Sequence, residues 1–155
     1  MIRPAVPSDK VQVVELLRAS HAGAGFDKVD GLTGFSFQFD VDCAERLFVS
    51  HLLLGRNLAI VHDVDGVAKG ILMAAAYEHK FGHVWLASET VWWIDPAHRG
   101  GSAAIRMLDA YEAWAAKSGC KFAGMAGMGD DPGIAALYQR RGYTRAETHH
   151  LKAVS

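Results

Sequence analysis

Apolar residues recur at helical spacing in four segments of the chain. Residues that favour helix ends border several of them. Asp42 is a predicted N-cap, Asp131 with Pro132 combines a cap with a first-turn proline, and Gly142 is a predicted stop. The predicted helices run from Val11 to Ser20, Cys43 to Leu54, Gly100 to Lys117 and Asp131 to Gly142.

Strand-like apolar runs are shorter and are separated by turn residues. Asp65 and Gly66 form a pair typical of a tight hairpin, and a second turn is predicted near Lys80 to Gly82, so three consecutive strands should be antiparallel. Small apolar residues after Lys121 suit the crowded interior of a sheet. The predicted strands are Ile2 to Val6, Asn57 to His62, Val67 to Tyr77, His83 to Asp95, Lys121 to Met128 and Tyr143 to Val154.

The resulting order of elements, β-α-α-β-β-β-α-β-α-β, predicts an α/β fold of the mixed (α+β) type around one central sheet. Residues 1–155 are expected to form a single domain, because a chain of 155 residues with 50% apolar residues can bury one core. The segment from His21 to Asp40 fits this order least well. It is rich in glycine and then alternates Phe35, Phe37 and Phe39, which either fill the core or line an acceptor pocket.

Charge and cysteine content narrow the classes of function. With 16 basic and 17 acidic residues and no dense basic run, the chain is not expected to bind nucleic acid. The uncharged run from Gly70 to Tyr77 is too short to span a membrane, and the first nine residues do not resemble a signal peptide. Two distant cysteines, Cys43 and Cys120, predict no disulfide, and Cys120 is expected to be a small core residue. Together these features favour a cytoplasmic location.

Candidate chemistry concentrates between Trp92 and Ala104. A strand ends before Pro96, and small residues then open a long helix. A helix N-terminus of this kind offers unpaired N–H groups and a positive dipole end to a pyrophosphate, and Arg99 can add a guanidinium. The alternative is a tight turn that merely packs on the sheet.

This segment resembles the acetyl-CoA motif of the GNAT N-acetyltransferase family, Pro-x-x-(Arg/Gln)-Gly-x-Gly-x-(Gly/Ala). Pro96, Arg99, Gly100 and Ala104 match it, whereas Ser102 stands at the usual second glycine. The segment 136–143, Ala-Leu-Tyr-Gln-Arg-Arg-Gly-Tyr, resembles the second family motif, Leu-Tyr-x-x-x-Gly-Phe. The resemblance implies a mostly antiparallel sheet with about four helices, and direct acetyl transfer from acetyl-CoA to an amine of a small molecule or a protein.

The resemblance also implies roles for particular residues. The backbone of Trp92, Trp93 and Ile94 would pair with the pantetheine arm, Tyr138 would be the acid beside the sulfur, and Glu89 would be the base. Should Glu89 point outward, Glu78, His79 or solvent is the alternative base. Asp131, where relatives often carry asparagine, would contact the pantetheine arm or act only as a helix cap. The phosphates would meet Arg99, Gly100, Gly101, Ser102, Ala103 and Ala104.

Two other classes of function remain open at this point. Ser102 and Asp131 would suit a module that binds acyl-CoA without catalysis, and a purely structural protein could keep the fold alone. Neither His149 with His150 nor His79 with His83 has the further ligands that a metal site needs, so no metal is expected. The aromatic content makes a homodimer plausible, and the acceptor cannot be read from the sequence.

Overall fold

The computed structural model describes residues 1–30, 36–127 and 131–154. Over these residues five strands form one sheet in the order β1-β2-β3-β4-β5, antiparallel from β1 to β4, with β5 parallel to β4. With four α-helices, this confirms the predicted fold class. The strands are β1 Ile2–Pro4, β2 Asn57–Val64, β3 Val67–Glu78, β4 Trp85–Ile94 and β5 Cys120–Gly124, and the helices are α1 Lys10–Gly23, α2 Val41–Leu53, α3 Ala103–Lys117 and α4 Pro132–Arg140.

The hairpin between β2 and β3 follows directly from its sequence. Asp65 and Gly66 have φ values of 52° and 81°, the left-handed conformations that a tight two-residue turn requires. The Gly66 N–H also donates to the Asp63 carboxylate at 2.9 Å. The predicted hairpin and the three antiparallel strands β2, β3 and β4 are therefore confirmed.

The two faces of the sheet are covered by different helices. Ile60 and Leu72 lie on one face and pack into a buried cluster with Met107 and Tyr111 of α3. Side chains alternate along a strand, so the neighbours of Ile60 on β2 and of Leu72 on β3 lie on the opposite face. That second face is covered by α2, whose Phe48 is fully buried. Helix α1 lies beside α2, where Lys10 donates to Glu45 at 2.8 Å.

One extra residue interrupts the pairing of β3 with β4. Met73 pairs with Val91 and Ala74 pairs with Glu89, so Thr90 has no opposite residue on β3. This is a β-bulge, and it shifts the side-chain alternation of β4 by one position. Bulges of this kind redirect side chains locally, which makes the middle of β4 irregular in an otherwise regular sheet.

Strand β4 is paired with β5 over only part of its length. The pairs run from Trp85 with Cys120 to Ser88 with Gly124. Within the described residues β5 ends there, while β4 continues for six more residues to Ile94. Over the described residues, therefore, no strand pairs with the second half of β4 on the side away from β3, and we call this side the open edge of β4.

Two predictions about strands are wrong. Residues 143–154 form no strand, so β5 is the last strand of the sheet over the described residues. The strand predicted for the sheet interior, Lys121 to Met128, is instead this edge strand over the described residues, with Phe122 exposed, and Met128 lies outside those residues. The prediction relied on small apolar residues, which suit a crowded interior but also fit an edge. Cys120 is half-buried and packs against the cluster beneath α3, in line with the predicted core position.

The starts of α1, α2 and α3 differ from the predictions by one to three residues. Asp40, not Asp42, caps α2, because its carboxylate accepts from the Cys43 N–H at 2.7 Å. Helix α3 starts at Ala103 rather than Gly100, because Gly100 has a left-handed φ of 84°. The predicted start and stop of α4 at Asp131 and Gly142 are confirmed.

The chain divides into two compact units. The sheet unit comprises Met1–Ser20 and Asp40–Met125, and the second unit comprises His21–Phe39 and Ala126–Ser155. In the second unit the rings of Phe26, Phe37 and Phe39 surround the His21 ring at centroid distances of 4.8–5.8 Å. Ser36 to Phe39 form no strand, Phe37 is 50% exposed, and Phe35 lies outside the described residues. That there is a single domain remains a prediction.

Candidate active site

The loop before α3 leaves the helix N-terminus without a side-chain cap. Gly100 has a φ of 84°, and a Cβ built on Gly100 or Gly101 would meet no atom within 4 Å. Ser102 occupies the N-cap position, but its hydroxyl makes no capping hydrogen bond. Since the first N–H groups of a helix have no partner within the helix, this start can bind an anion.

Arg99 is held at this loop by two contacts. Its Nε donates to the Ile94 carbonyl at 2.8 Å, and its guanidinium carbon lies 4.4 Å from the centre of the Trp93 ring. The two terminal nitrogens take no part in that hydrogen bond. Because a guanidinium carries several N–H donors in one plane, they can bind phosphate oxygens while Nε fixes the side chain.

Backbone groups at the end of β4 alternate between β3 and the open edge. The Asp95 N–H donates to the Lys69 carbonyl of the neighbouring chain segment at 2.9 Å, so Asp95 faces β3. Alternation then directs the N–H and C=O of Ile94 and Trp92 toward the open edge and those of Trp93 toward β3. Of the three residues that were expected to pair with pantetheine, two therefore present backbone groups at that edge.

Glu89 lies at the point where β4 and β5 separate, one residue after the last β4–β5 pair. It pairs with Ala74, a member of the cluster beneath α3, so it lies on the α3 face of the sheet and is half-buried. The alternative bases lie elsewhere. Glu78 ends β3 and binds the exposed His83 at 2.7 Å, and His79 follows it in the hairpin.

Tyr138 and Asp131 lie in the second unit, on α4. The Tyr138 hydroxyl donates to the Ala126 carbonyl at 3.0 Å, and its ring lies 5.6 Å from that of Tyr143. Asp131 caps α4, where one carboxylate oxygen accepts from the N–H groups of Gly133 and Ile134 at 2.8 and 3.2 Å. The carboxylate thus has a structural function in α4.

A pair that the sequence did not reveal lies on the α2 face of β4. The Nε2 of His51 is 3.0 Å from the hydroxyl of Thr90, the bulged residue. His51 is only 6% exposed, whereas Thr90 is exposed. The sequence did contain a signal that His51 is buried. It follows Leu47 by four residues and Phe48 by three, and so lies on the apolar stripe of α2. Its partner depends on the bulge, which no sequence pattern marked.

The residues that the structure describes can also be compared with the requirements of metal sites and membrane-spanning helices. They contain no cluster of His, Cys, Asp and Glu able to hold a metal ion. Over the same residues, no helix has both the length and the apolar character needed to cross a bilayer. Burial raises the pKa of the Cys120 thiol and lowers the pKa of His62.

Comparison with solved structures shows the same fold throughout. AAC(6')-Iy, in complex with the bisubstrate analogue CoA-S-monomethyl-acetylneamine, aligns with a TM-score of 0.77 at 14% identity, over 100% of this chain and 97% of that one. A protein described as a predicted acetyltransferase, with acetyl-CoA, from Clostridium acetobutylicum aligns with a TM-score of 0.78 at 14% identity, over 98% and 95% of the two chains.

A third similar structure is named for a protein acceptor and not for a small molecule. The ribosomal-protein-alanine N-acetyltransferase from Brucella melitensis aligns with a TM-score of 0.71 at 16% identity, over 99% of both chains. No curated protein matches the chain in sequence. The acetyltransferase (GNAT) family model matches residues 31–143, which include β4, the loop before α3 and the α4 motif. The chain therefore belongs to the GNAT acetyltransferase family.

Proposed function

We propose that this protein is an acetyl-CoA-dependent N-acetyltransferase that moves the acetyl group directly to an amine. The observation that carries the proposal is the combination of an open β4 edge with the uncapped start of α3, both in the sheet unit. The open edge can form hydrogen bonds with an extended chain that contains amides, and the helix start can bind phosphates. Acetyl-CoA, the co-substrate that the family uses, has both parts.

The co-substrate would lie along β4 and end at the loop. Its pantetheine amides would pair with the backbone of Trp92 and Ile94, although the Ile94 carbonyl already accepts from Arg99. Trp93, whose backbone faces β3, would instead support Arg99 through its ring. The phosphates would meet the terminal nitrogens of Arg99 and the N–H groups from Gly100, Gly101, Ser102, Ala103 and Ala104.

Glu89 is the proposed base. It lies where β4 leaves β5, which is where the thioester would lie if pantetheine follows the strand toward that point. A carboxylate there would accept a proton from the acceptor ammonium through water at the open edge, so that a neutral amine can attack the thioester carbonyl. The half-buried position of Glu89 supports this role.

Tyr138 is the proposed acid, because it matches the tyrosine of the second family motif. Its hydroxyl now donates to Ala126, so delivery of its proton to the departing thiolate requires the hydroxyl to turn away from that carbonyl. We retain Asp131 as a proposed pantetheine contact. It would contact pantetheine through the carboxylate oxygen that does not cap α4.

The second candidate function is an acyl-CoA-binding module without catalysis. Ser102 supports it, since its Cβ narrows the loop where relatives have glycine. Asp131 supports it because an ionised carboxylate cannot donate as asparagine does. Both candidates require the same binding site and differ only in turnover.

A titration with acetyl-CoA followed by an assay of thiol release separates these functions. We would use neamine, a peptide with an N-terminal alanine and Nα-blocked lysine as acceptors, because the similar structures differ in acceptor. We expect Glu89→Gln and Tyr138→Phe each to lower kcat by about 100-fold, the lower range for general acid–base catalysis, without changing the Kd of acetyl-CoA.

The outcomes are distinct. Absence of binding at millimolar acetyl-CoA would exclude both functions, and binding without turnover of any acceptor would favour the module. Full turnover by both variants would mean that the class of enzyme is right and the assigned residues are wrong.

A cytoplasmic location and a homodimer stay predictions. Light scattering at several protein concentrations tests whether the protein is a homodimer.

A further inference from the structure

The pair of His51 and Thr90 connects a buried helix side chain to an exposed hydroxyl. His51 Nε2 lies 3.0 Å from Thr90 Oγ1, and His51 Nδ1 lies 2.8 Å from the Leu47 carbonyl one helical turn earlier. Both distances are those of good hydrogen bonds. His51 therefore uses both ring nitrogens within the sheet unit.

These partners assign the tautomer of the imidazole. A carbonyl oxygen only accepts, so Nδ1 must carry the hydrogen that it donates to Leu47. The Ser50 hydroxyl, 3.3 Å from the same nitrogen, already donates to the Leu47 carbonyl at 2.7 Å and so cannot supply a competing hydrogen. In the neutral ring Nε2 is then an acceptor, and the Thr90 hydroxyl is the donor to it.

The direction of this hydrogen bond determines what Thr90 can bind. Its only hydroxyl hydrogen points to His51, so the oxygen offers lone pairs alone to anything that approaches from outside. Thr90 is exposed, which makes these lone pairs accessible. A hydrogen-bond donor such as an N–H group fits this site, whereas an acceptor does not.

The position of Thr90 points to the acceptor amine as that donor. It lies two residues beyond Ser88, where the open edge of β4 begins, and its side chain lies on the α2 face. Glu89, the adjacent residue, lies on the α3 face. His51 is in the last turn of α2, whose carbonyl end carries partial negative charge and so favours a cation nearby.

We propose that Thr90 accepts a hydrogen bond from the acceptor ammonium or amine as it approaches the thioester from the α2 face, and that His51 is the positioning residue that orients the Thr90 hydroxyl. The inference rests on the proposed function and specifies its acceptor side. It defines the acceptor as a primary or secondary amine with an N–H to donate. Pantetheine, which would lie along the edge from Trp92 to Ile94, does not need this hydroxyl.

The main test compares Thr90→Val with Thr90→Ser, using the best acceptor among neamine, the alanine peptide and Nα-blocked lysine. Valine keeps the shape and removes the hydroxyl, so KM for the amine should rise about 10- to 30-fold, the lower end of the range for a hydrogen bond to a charged group. Thr90→Ser should stay within about threefold of the wild type. The kcat value should change less than KM, and the Kd of acetyl-CoA should not change.

Variants of His51 test the positioning role. Gln at position 51 offers an amide oxygen to the Thr90 hydroxyl, so His51→Gln should recover most of the amine affinity, whereas His51→Met should raise KM for the amine about fivefold. Adding Thr90→Val to His51→Met should have no further effect beyond that of Thr90→Val alone, since both act through one hydroxyl. The exposed Thr90 variants keep the test decisive if a His51 variant fails to fold.

Three results would overturn the inference. An amine KM unchanged in Thr90→Val would mean that the hydroxyl does not touch the acceptor. A weakened acetyl-CoA Kd with unchanged amine KM would mean that it binds the co-substrate instead. Absence of wild-type turnover with all three amines would reject the proposed function and this inference together, whereas the first two results leave the proposed function intact.

Discussion

Two arginines of the sheet unit, Arg3 and Arg99, are used in opposite ways. Arg3 makes a two-pronged contact with the Asp9 carboxylate, 2.8 Å for each nitrogen, and its Nε donates to Asp63 at 2.7 Å. Arg99 makes no ion pair among the described contacts and instead lies over Trp93 with its Nε on a backbone carbonyl. The first guanidinium is satisfied by protein carboxylates, and the second is oriented without being neutralised.

The difference separates an arginine with a structural function from an arginine that we propose for binding. Asp9 is only 4% exposed, so an arginine beside it compensates a carboxylate that would otherwise be buried without a partner. Arg99 is exposed, and the described contacts give it no carboxylate partner, which is why we propose it for phosphate binding. The helix starts repeat the contrast, since aspartates cap α2 and α4 while α3 begins without a side-chain cap.

The largest expected effect comes from Arg3→Ala. It leaves the Asp9 carboxylate without its cation, so the free energy of unfolding should fall by about 2 kcal/mol, less than for a fully buried pair because the Arg3 side chain is partly exposed. Denaturant unfolding measures this. Acetyl-CoA affinity should not change. Arg18→Ala, which removes an exposed arginine 3.4 Å from Glu15, is the control and should change stability by less than about 0.5 kcal/mol.

The same pair gives the stability a pH dependence. The Arg3 guanidinium holds the pKa of Asp9 and of Asp63 below the usual value. Their stabilisation is therefore complete above the ordinary aspartate pKa of about 3.9 and is lost as the pH falls through the lowered values. Wild-type stability should drop below about pH 4, and Arg3→Ala should show a smaller drop. Equal acid sensitivity of the two proteins would contradict this account.

Arg99→Ala should have the opposite profile, with a large effect on binding and a small one on folding. The Kd of acetyl-CoA should rise about 10- to 30-fold, because a charge-assisted contact to phosphate is lost. The free energy of unfolding should change by less than about 0.5 kcal/mol, as expected at an exposed position. Arg99→Lys should recover part of the affinity, since it keeps the charge and loses the planar fork. An unchanged Kd would remove Arg99 from the proposed site.

Ser102→Asp would give α3 the kind of cap that α2 and α4 already have. The carboxylate should stabilise the helix start by a few tenths of a kcal/mol and repel the phosphates, so that the Kd of acetyl-CoA rises about tenfold. Thermal unfolding and titration calorimetry measure the two effects. Ser102→Asn, a cap without charge, should bind more tightly than Ser102→Asp. Equal affinities would mean that the phosphates do not approach this helix start.

Local signals predicted much of the fold. Asp65 with Gly66 predicted the hairpin because few residue pairs accept two left-handed conformations, and Asp131 with Gly142 predicted both ends of α4. The cap of α2 was misplaced because Asp40 and Asp42 are equally suited by type, and only the helix path selects between them. The predicted last strand, Tyr143 to Val154, is absent, because a strand forms only where a neighbouring strand pairs with it, and strand pairing is not a local property of the sequence.

The candidate site was predictable where it rests on a linear motif. Gly100, Ser102 and Arg99 could be proposed from the sequence because a loop of this kind is continuous along the chain. The pair of His51 and Thr90 was not, because it joins residues 39 positions apart through a bulge. A bulge depends on how two strands pair, and no residue type at Thr90 predicts it.

By itself, the sequence determined the order of the elements as far as α4, the small-residue loop before α3 and the near-neutral charge that leaves any anion to be bound locally. The tertiary structure decided where β4 separates from β5, which backbone groups of Trp92 to Ile94 face that edge, and which side of the sheet Glu89 and Thr90 occupy. The reason is physical: a helix start is built from neighbours in the chain, whereas strand register is set by packing between distant segments.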